Sequence, residues 1–248
     1  EYNALAKNHR ELSGAAPTFH LTLATPFSMA LYMGLIDKLT TLSVQFLPGS
    51  LRSDAALGLN RMFNARTPRI QHLDVSALPS IAVMVLFSRQ WRGLLTEVKS
   101  IKLGDDTLWS GAVAAQLALE IPNSRMRLRE WDLSWTSQSN YGKVLPDDFL
   151  FWGQAESLQW AGLEYLALRH AELAESSLHC ITENVIKRGA SESLRTLDLT
   201  GARIKGGLFP KLEAGLHQCN ALRKLALGGN SCFGLLGAQS LASALPQL

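Results

Sequence analysis

Towards one end the chain reads Leu222-Arg-Lys-Leu225-Ala-Leu227-Gly-Gly-Asn230. Apolar residues at the first, fourth and sixth positions of this stretch predict a short strand with one buried face, because the side chains of a strand alternate between its two faces. Asn230 is predicted to close a turn. Apolar residues at 235, 236, 241 and 245 then predict a helix with a single apolar stripe. We number the positions of this unit from 1, at Leu222, to 9, at Asn230.

The same strand pattern recurs at nearly regular intervals. Position 1 of successive units falls at residues 39, 70, 98, 128, 163, 194 and 222, with spacings of 31, 28, 30, 35, 31 and 28 residues. The alternating stretch Phe19–Leu23 is a candidate for an eighth strand or for part of an N-terminal cap. Repetition with a period of 20 to 50 residues is typical of solenoid proteins, so it governs the fold prediction.

A lone strand–helix unit cannot bury its apolar side, but stacked units share one continuous core. The sequence therefore predicts an α/β solenoid of about seven to eight repeats, with helices over about 54–64, 111–120 and 147–160. Helices need more room than strands, so we expect a curved arc with a parallel sheet on the concave face and helices on the convex face. Residues 1–34 are predicted to form a cap or arm, and residues 35–248 the repeat domain.

The run at 222–230 and the residues that follow it resemble the leucine-rich repeat of the ribonuclease-inhibitor-like subtype, which NOD-like receptors and Ran GTPase-activating proteins share. The resemblance extends over roughly residues 35–248 and implies a protein-binding solenoid. In that family the position-9 Asn satisfies backbone groups at the turn between repeats. Only Asn230 matches here, since the other units have Leu47, Leu78, Asp106, Thr136, Ala171 and Ala202. These turns must satisfy their backbone groups in another way.

Composition narrows the function classes. The chain has 24 Lys and Arg, 21 Asp and Glu and a net charge of +3, and no Lys/Arg cluster is evident along it, so nucleic acid is not an expected partner. Its longest apolar run, Ile81–Phe87, is too short to span a bilayer. Cys180, Cys219 and Cys232 have no metal-ligand spacing and indicate free thiols in a reducing, intracellular compartment, of which the cytoplasm is favoured. Because the sequence begins with Glu1 rather than Met, an organelle after presequence removal is the alternative. Neither a cofactor nor a small-molecule substrate is predicted. Because Leu245 begins what looks like a further strand and no polar cap follows, we expect the repeats to continue.

Positions 3, 5 and 7 of each strand are predicted to point away from the core. At the centre of this face, hot-spot residue types come together, and they form the candidate partner-binding site: Glu130, Asp132, Trp135, Tyr165, Arg169 and His170. Trp131, at position 4, is predicted to be core packing. Replacing the core residue Leu197 with Asp should unfold the nearby repeats, whereas replacing its outward neighbour Asp198 with Ala should leave folding intact.

Catalysis is not expected. Asp74, Asp132 and Asp198 fall on non-adjacent strands, too far apart to share a proton or a metal ion. The Leu227–Asn230 segment is a repeat turn and not a phosphate-binding loop. The expected function is a protein-interaction scaffold, within a larger complex. Two alternatives are a regulatory or sensor segment of a NOD-like-receptor-type protein and a Ran-type GTPase-activating protein; the second would carry an acidic tail and a regular position-9 Asn.

Overall fold

The computed structural model describes residues 18–23, 41–46, 70–76, 96–103, 127–135, 160–230 and 234–244. Eight strands lie within these ranges and form one sheet in which every strand is parallel to its neighbours. Their order in the sheet is their order in the chain, β1 to β8: Thr18–Leu23, Thr41–Phe46, His72–Val75, Ser100–Leu103, Glu130–Asp132, Tyr165–Ala167, Thr196–Asp198 and Lys224–Ala226. The α/β class and the parallel sheet are thereby confirmed.

The register of the sheet follows the numbering of the repeated unit. Position 3 of each unit pairs with position 3 of the next, so one row crosses the sheet: Thr18, Thr41, His72, Ser100, Glu130, Tyr165, Thr196 and Lys224, where Thr18 extends the row into β1. A one-residue slip would turn every apolar side chain to the wrong face, which is why the apolar pattern specifies the register. The seven predicted strands are present, but each begins at position 3, two residues after its predicted start at position 1.

Burial alternates along the strands as the pattern predicts. From β3 to β7, positions 1, 4 and 6 are buried, with residues such as Leu73, Ile101, Leu166 and Leu197 at 4% exposure or less. Each such side chain contributes about 1.5–3 kcal/mol when fully removed from water. Trp131 occupies position 4 of β5 and stacks on Trp160, with ring centroids 5.1 Å apart. Its predicted role in core packing is confirmed.

Helices follow β6, β7 and β8. Helix α1, Glu175–Cys180, runs directly into a π-helical segment, Ile181–Ala190; α2 is Phe209–Leu216, after a 3₁₀ turn at Gly206–Leu208, and α3 is Gly234–Ala244. Glycines allow close approach between successive helices, since a Cβ on Gly215 would lie 3.0 Å from Thr182 and one on Gly237 3.1 Å from Phe209. The helices therefore stack in chain order, as the strands do.

Other expectations from the sequence lie outside the described residues or are not confirmed. The helices predicted over 54–64 and 111–120, and nearly all of 147–160, lie outside the described residues, so the number of complete units and the curvature stay predictions. Leu235 was expected in the apolar stripe of α3, but its side chain is 75% exposed. Among the described helices, none combines the length and the apolar character needed to cross a membrane.

Candidate functional site

The sheet face opposite the core carries the predicted partner-binding residues. We call the described residues at positions 3, 5 and 7 of the units that contain β3 to β8 the open face; Gly104, at position 7 of the β4 unit, lies outside the described residues. At its centre Glu130 of β5 pairs in register with Tyr165 of β6, and Asp132 pairs with Ala167, which in turn pairs with Asp198 of β7. Two neighbouring strands, β5 and β6, thus bring Glu130, Asp132, Tyr165 and Arg169 together, and β7 adds Asp198 beside them.

Arg169 links the three central strands. Its Nη2 donates to Asp132 Oδ2 at 3.0 Å, its Nε donates to Ser134 Oγ at 3.0 Å, and Nε lies 3.9 Å from Asp198 Oδ2. The backbone N–H of Arg169 also donates to Ser134 Oγ, at 3.2 Å. Ala167, which pairs in register with Asp132 on one side and Asp198 on the other, is fully buried. The guanidinium group is therefore held in place before any partner arrives.

The aspartates at position 5 also stabilise the turns that follow them. Asp132 Oδ1 accepts the backbone N–H of Ser134 at 2.9 Å, and Asp198 Oδ1 accepts that of Thr200 at 3.0 Å together with the Thr200 hydroxyl at 2.7 Å. Asp74 accepts the N–H of Ser76 at 3.0 Å in the same way. An aspartate that bonds the backbone two residues on is a common turn device. It explains how units without a position-9 Asn satisfy part of their turn backbone.

Tyr165 lies in an acidic environment. Its side chain is half-buried, and burial raises the pKa of its phenol, with the charges of Asp132, Asp198 and Glu130 raising it further and that of Arg169 opposing them. Glu130, directly opposite in register, is exposed. The phenol therefore stays protonated at neutral pH and offers an O–H donor beside an exposed carboxylate.

Two predicted residues lie at the turns and differ in accessibility. His170 is half-buried and has a left-handed backbone, φ +62°, a conformation that His adopts more readily than most residues. Its N–H donates to Thr200 O at 2.8 Å. Trp135, in contrast, is 1% exposed. Its expected place on the partner-binding surface is therefore corrected, because the side chain belongs to the interior and cannot meet a partner.

Sequence reasoning missed the contributions of Asp198 and Ser134 to the site. The alternation predicts that Asp198, at position 5, and Ser134, at position 7, point away from the core. It does not predict that both contact Arg169 or that Ser134 is only 3% exposed. A signal existed in the recurring Asp-x-Ser/Thr at positions 5 to 7, seen at Asp74, Asp132 and Asp198. The Arg169 contacts have no such local signal, since they join residues 35 and 37 apart.

Other chemistry in the described ranges is limited. No group of three or more His, Cys, Asp or Glu side chains within them could hold a metal ion. Asp132 and Asp198 lie on strands separated by β6, as predicted, and Arg169 stands between them. Neither Cys180 nor Cys219 is in a disulfide bond, and burial of Cys219 raises the pKa of its thiol to about 11. Cys232 lies outside the described residues.

No protein-family model matches the chain. A search of the curated proteins likewise finds no significant match.

Proposed function

We propose that the chain is a divergent leucine-rich repeat scaffold that binds a partner protein through its open face, without catalysis. The observation that carries the proposal is the open face itself: an in-register parallel sheet, buried on one side, presents Glu130, Tyr165 and Arg169 side by side on the other. The in-register order of the strands supports the assignment of the units as structural repeats. We further propose that about seven to eight of these repeats form a curved arc.

The central residues have the properties of an interaction hot spot. Tyr and Arg are enriched among residues that dominate binding energy, particularly where their side chains are ordered beforehand. The Arg169 side chain is 40% exposed although Asp132 and Ser134 hold it, so a partner can reach it without having to order it. Tyr165 and Glu130 add a phenol and a carboxylate next to it.

The acidic residues are better explained by structure than by catalysis. Asp132 and Asp198 each use one carboxylate oxygen for a turn amide and turn the other towards Arg169. A general acid or base needs an oxygen that can reach the substrate. These contacts favour a scaffold role, which we place in a larger assembly in a reducing compartment.

The proposal is tested on the native complex. The tagged chain is purified with its partners from its own cells, and subunit stoichiometry is measured by mass spectrometry for wild type, Tyr165→Ala, Glu130→Ala and Lys211→Ala. Lys211 lies on α2 and serves as the control for a surface change away from the sheet. We expect a stoichiometric partner that Tyr165→Ala releases and Lys211→Ala retains, with circular dichroism showing all variants folded.

Two outcomes would contradict this function. A partner that every variant retains equally would exclude the open face as its binding site. A chain that is purified alone under mild conditions, in the absence of any stoichiometric partner, would exclude the scaffold role.

A further inference from the structure

A row of cations crosses the sheet at the edge where the strands begin. Position 2 lies just before the strand of each unit. In the units that contain β4, β5, β7 and β8 it is Lys99, Arg129, Arg195 and Arg223, and in the unit that contains β6 it is Glu164. We call these five residues the basic edge. Consecutive members are about 30 residues apart in the chain, which is why no cluster is visible in the sequence.

The backbone holds these residues in register. Arg129 N donates to Lys99 O at 2.7 Å, Glu164 N to Arg129 O at 2.7 Å, Arg195 N to Glu164 O at 2.8 Å and Arg223 N to Arg195 O at 2.9 Å. Neighbouring members therefore follow the strand spacing of about 4.8 Å. The three arginines are exposed, Arg129 by 63% and Arg195 by 57%, whereas Lys99 is half-buried and donates from Nζ to Gln71 Oε1 at 3.2 Å. The basic edge therefore presents three accessible guanidinium groups in a fixed register.

Glu164 shows what such a row attracts. Its Oε1 lies 3.6 Å from Arg129 Nη1 and its Oε2 lies 3.7 Å from Arg195 Nε, so one carboxylate is placed between two guanidinium groups. These are ion pairs at distances longer than a hydrogen bond, which leaves N–H donors of both arginines for other acceptors. One acid does not balance four cations.

Arg195 and Arg223 have no acid between them. They occupy neighbouring strands, and like charges placed opposite each other in a sheet are destabilising. Acids in the turns that lead into the strands reduce the charge only in part: with Glu97, Glu192 and Arg127 included, five cations face three acids. Glu192, moreover, already accepts a hydrogen bond from Asn220 at 2.9 Å. A ligand that brings negative charge would remove this repulsion.

We propose that the basic edge binds an acidic, extended segment of a partner protein, with Asp or Glu side chains placed between its arginines. A continuous phosphate backbone fits less well, because Glu164 interrupts the row and Glu192 lies beside it. An acidic peptide can place neutral residues opposite these two acids. This surface uses residues other than those of the open face, so it can exist whether or not the open face binds a partner.

The test is the binding of a fluorescein-labelled deca-glutamate peptide to the full chain, measured by anisotropy at 50 mM and 300 mM NaCl. The variant Arg195→Gln/Arg223→Gln removes two charges from the basic edge. The control Arg203→Gln/Lys205→Gln removes two charges from the opposite edge, where the exposed Arg203 and Lys205 follow β7. We expect about a tenfold loss of affinity in the first variant and less than about a twofold loss in the control.

Two further arms sharpen the outcome. Glu164→Gln should strengthen peptide binding about twofold to threefold, because it frees two arginines from their internal partner. Binding should weaken severalfold at the higher salt, as expected for exposed charges. Tyr165→Ala, on the open face, should bind the peptide as wild type does, so a failure of the open-face function would not be confused with a failure of this proposal.

Three results would overturn the inference. The first is an equal loss in the two double variants, and the second is the absence of binding at 50 mM NaCl while circular dichroism shows the chain folded. The third is tighter binding of a single-stranded oligonucleotide of equal charge at both salt concentrations, which would identify phosphate rather than an acidic peptide as the ligand.

Discussion

The turn after β8 and the turns after β5 and β7 occupy equivalent places but are stabilised in different ways. At the first, buried Asn230 donates from Nδ2 to Leu199 O at 2.9 Å and to Leu227 O at 2.7 Å, and its Oδ1 accepts Ile204 N at 3.2 Å. At the other two, an aspartate two positions before the turn accepts a single backbone N–H. Asn230 joins two units through hydrogen bonds made in the interior. Asp132 and Asp198 bond only within their own units, from the open face.

Backbone contacts between units supply what the aspartates lack. Trp135 N donates to Arg169 O, His170 N to Thr200 O and Gly201 N to Gly228 O, at 2.7–2.8 Å. Ala171 and Ala202 stand at position 9 and are fully buried. A unit without an asparagine at position 9 can therefore keep its register through main-chain bonds to the next unit and a small buried side chain at that position.

The largest expected effect comes from the core that both kinds of turn enclose. Leu197→Asp places a charge at a fully buried position and should cost at least about 4–5 kcal/mol, enough to unfold the surrounding units. Leu197→Met should cost less than about 1.5 kcal/mol. Urea denaturation followed by circular dichroism measures both, and equal losses would show that Leu197 does not face the core.

Asn230→Ala tests the interior hydrogen bonds that close the turn after β8. It leaves three backbone groups without their partner and should cost about 2–3 kcal/mol of unfolding free energy. The control is Asn220→Ala, an exposed asparagine with one bond to Glu192, expected to cost less than about 0.5 kcal/mol. Hydrogen exchange at the Ile204 amide should accelerate only in the first variant. An unchanged rate there would mean that the amide is not what closes this turn.

Gly201 and Gly229 share a left-handed backbone but differ in the space around the position where a Cβ would lie. Both have left-handed φ angles, +64° and +72°, but a Cβ on Gly201 would lie 2.4 Å from His170 Nδ1, whereas one on Gly229 would have no atom nearer than 3.5 Å. Gly229→Ala should therefore cost about 1 kcal/mol and Gly201→Ala about 2 kcal/mol. Denaturation in a His170→Gly background should make the two costs equal. A difference that persists there would contradict the steric explanation.

Asp198→Ala tests the hydrogen bonds by which an aspartate stabilises the turn after β7. The sequence predicted that this change leaves folding intact, whereas the contacts in the structure lead us to expect a loss of stability. It removes the acceptor of Thr200 N and Oγ1 and a charge beside Arg169, so we expect a loss of about 1–2 kcal/mol. Asp198→Asn should lose about half as much, since its amide oxygen can still accept the turn N–H. Urea denaturation distinguishes them, and a wild-type midpoint for Asp198→Ala would mean that main-chain bonds hold the turn alone.

The smallest effect concerns Cys219, buried behind these last turns. Its pKa is raised from the usual 9.0 to about 11 in the folded chain, so the unfolded chain loses this proton first as the pH rises. Stability should be unaffected below pH 9 and fall between pH 9 and 11, by about 1 kcal/mol at pH 10. Cys219→Ala should lack this component of the pH dependence, as measured by denaturation at pH 8 and pH 10. An equal change in unfolding free energy between pH 8 and pH 10 in the wild type and in Cys219→Ala would contradict this explanation.

Much of the fold follows from local pattern. Apolar residues at positions 1, 4 and 6 predicted the strands, their register and the burial of Trp131, because a two-residue alternation admits one orientation towards the core. The same pattern brought Glu130 and Tyr165 to neighbouring strands. Two predictions that did not rest on this alternation were wrong. Trp135 was placed on the partner-binding surface for its residue type and its place in a turn, although position 8 lies on the same side as the buried positions 4 and 6, and its side chain is buried. Leu235 was assigned to the apolar stripe of α3, but its side chain is exposed.

The sequence alone therefore determined which residues face the core and which strands lie side by side, since both depend on periods that are visible in the chain. Only the tertiary structure decided what the outward residues do to one another. Arg169 bridges Asp132 and Asp198, and Lys99, Arg129, Arg195 and Arg223 form a single row, because register brings residues about 30 positions apart to within a few strand spacings. Neither the composition nor the local spacing of residues along the chain shows which distant residues become neighbours in the sheet.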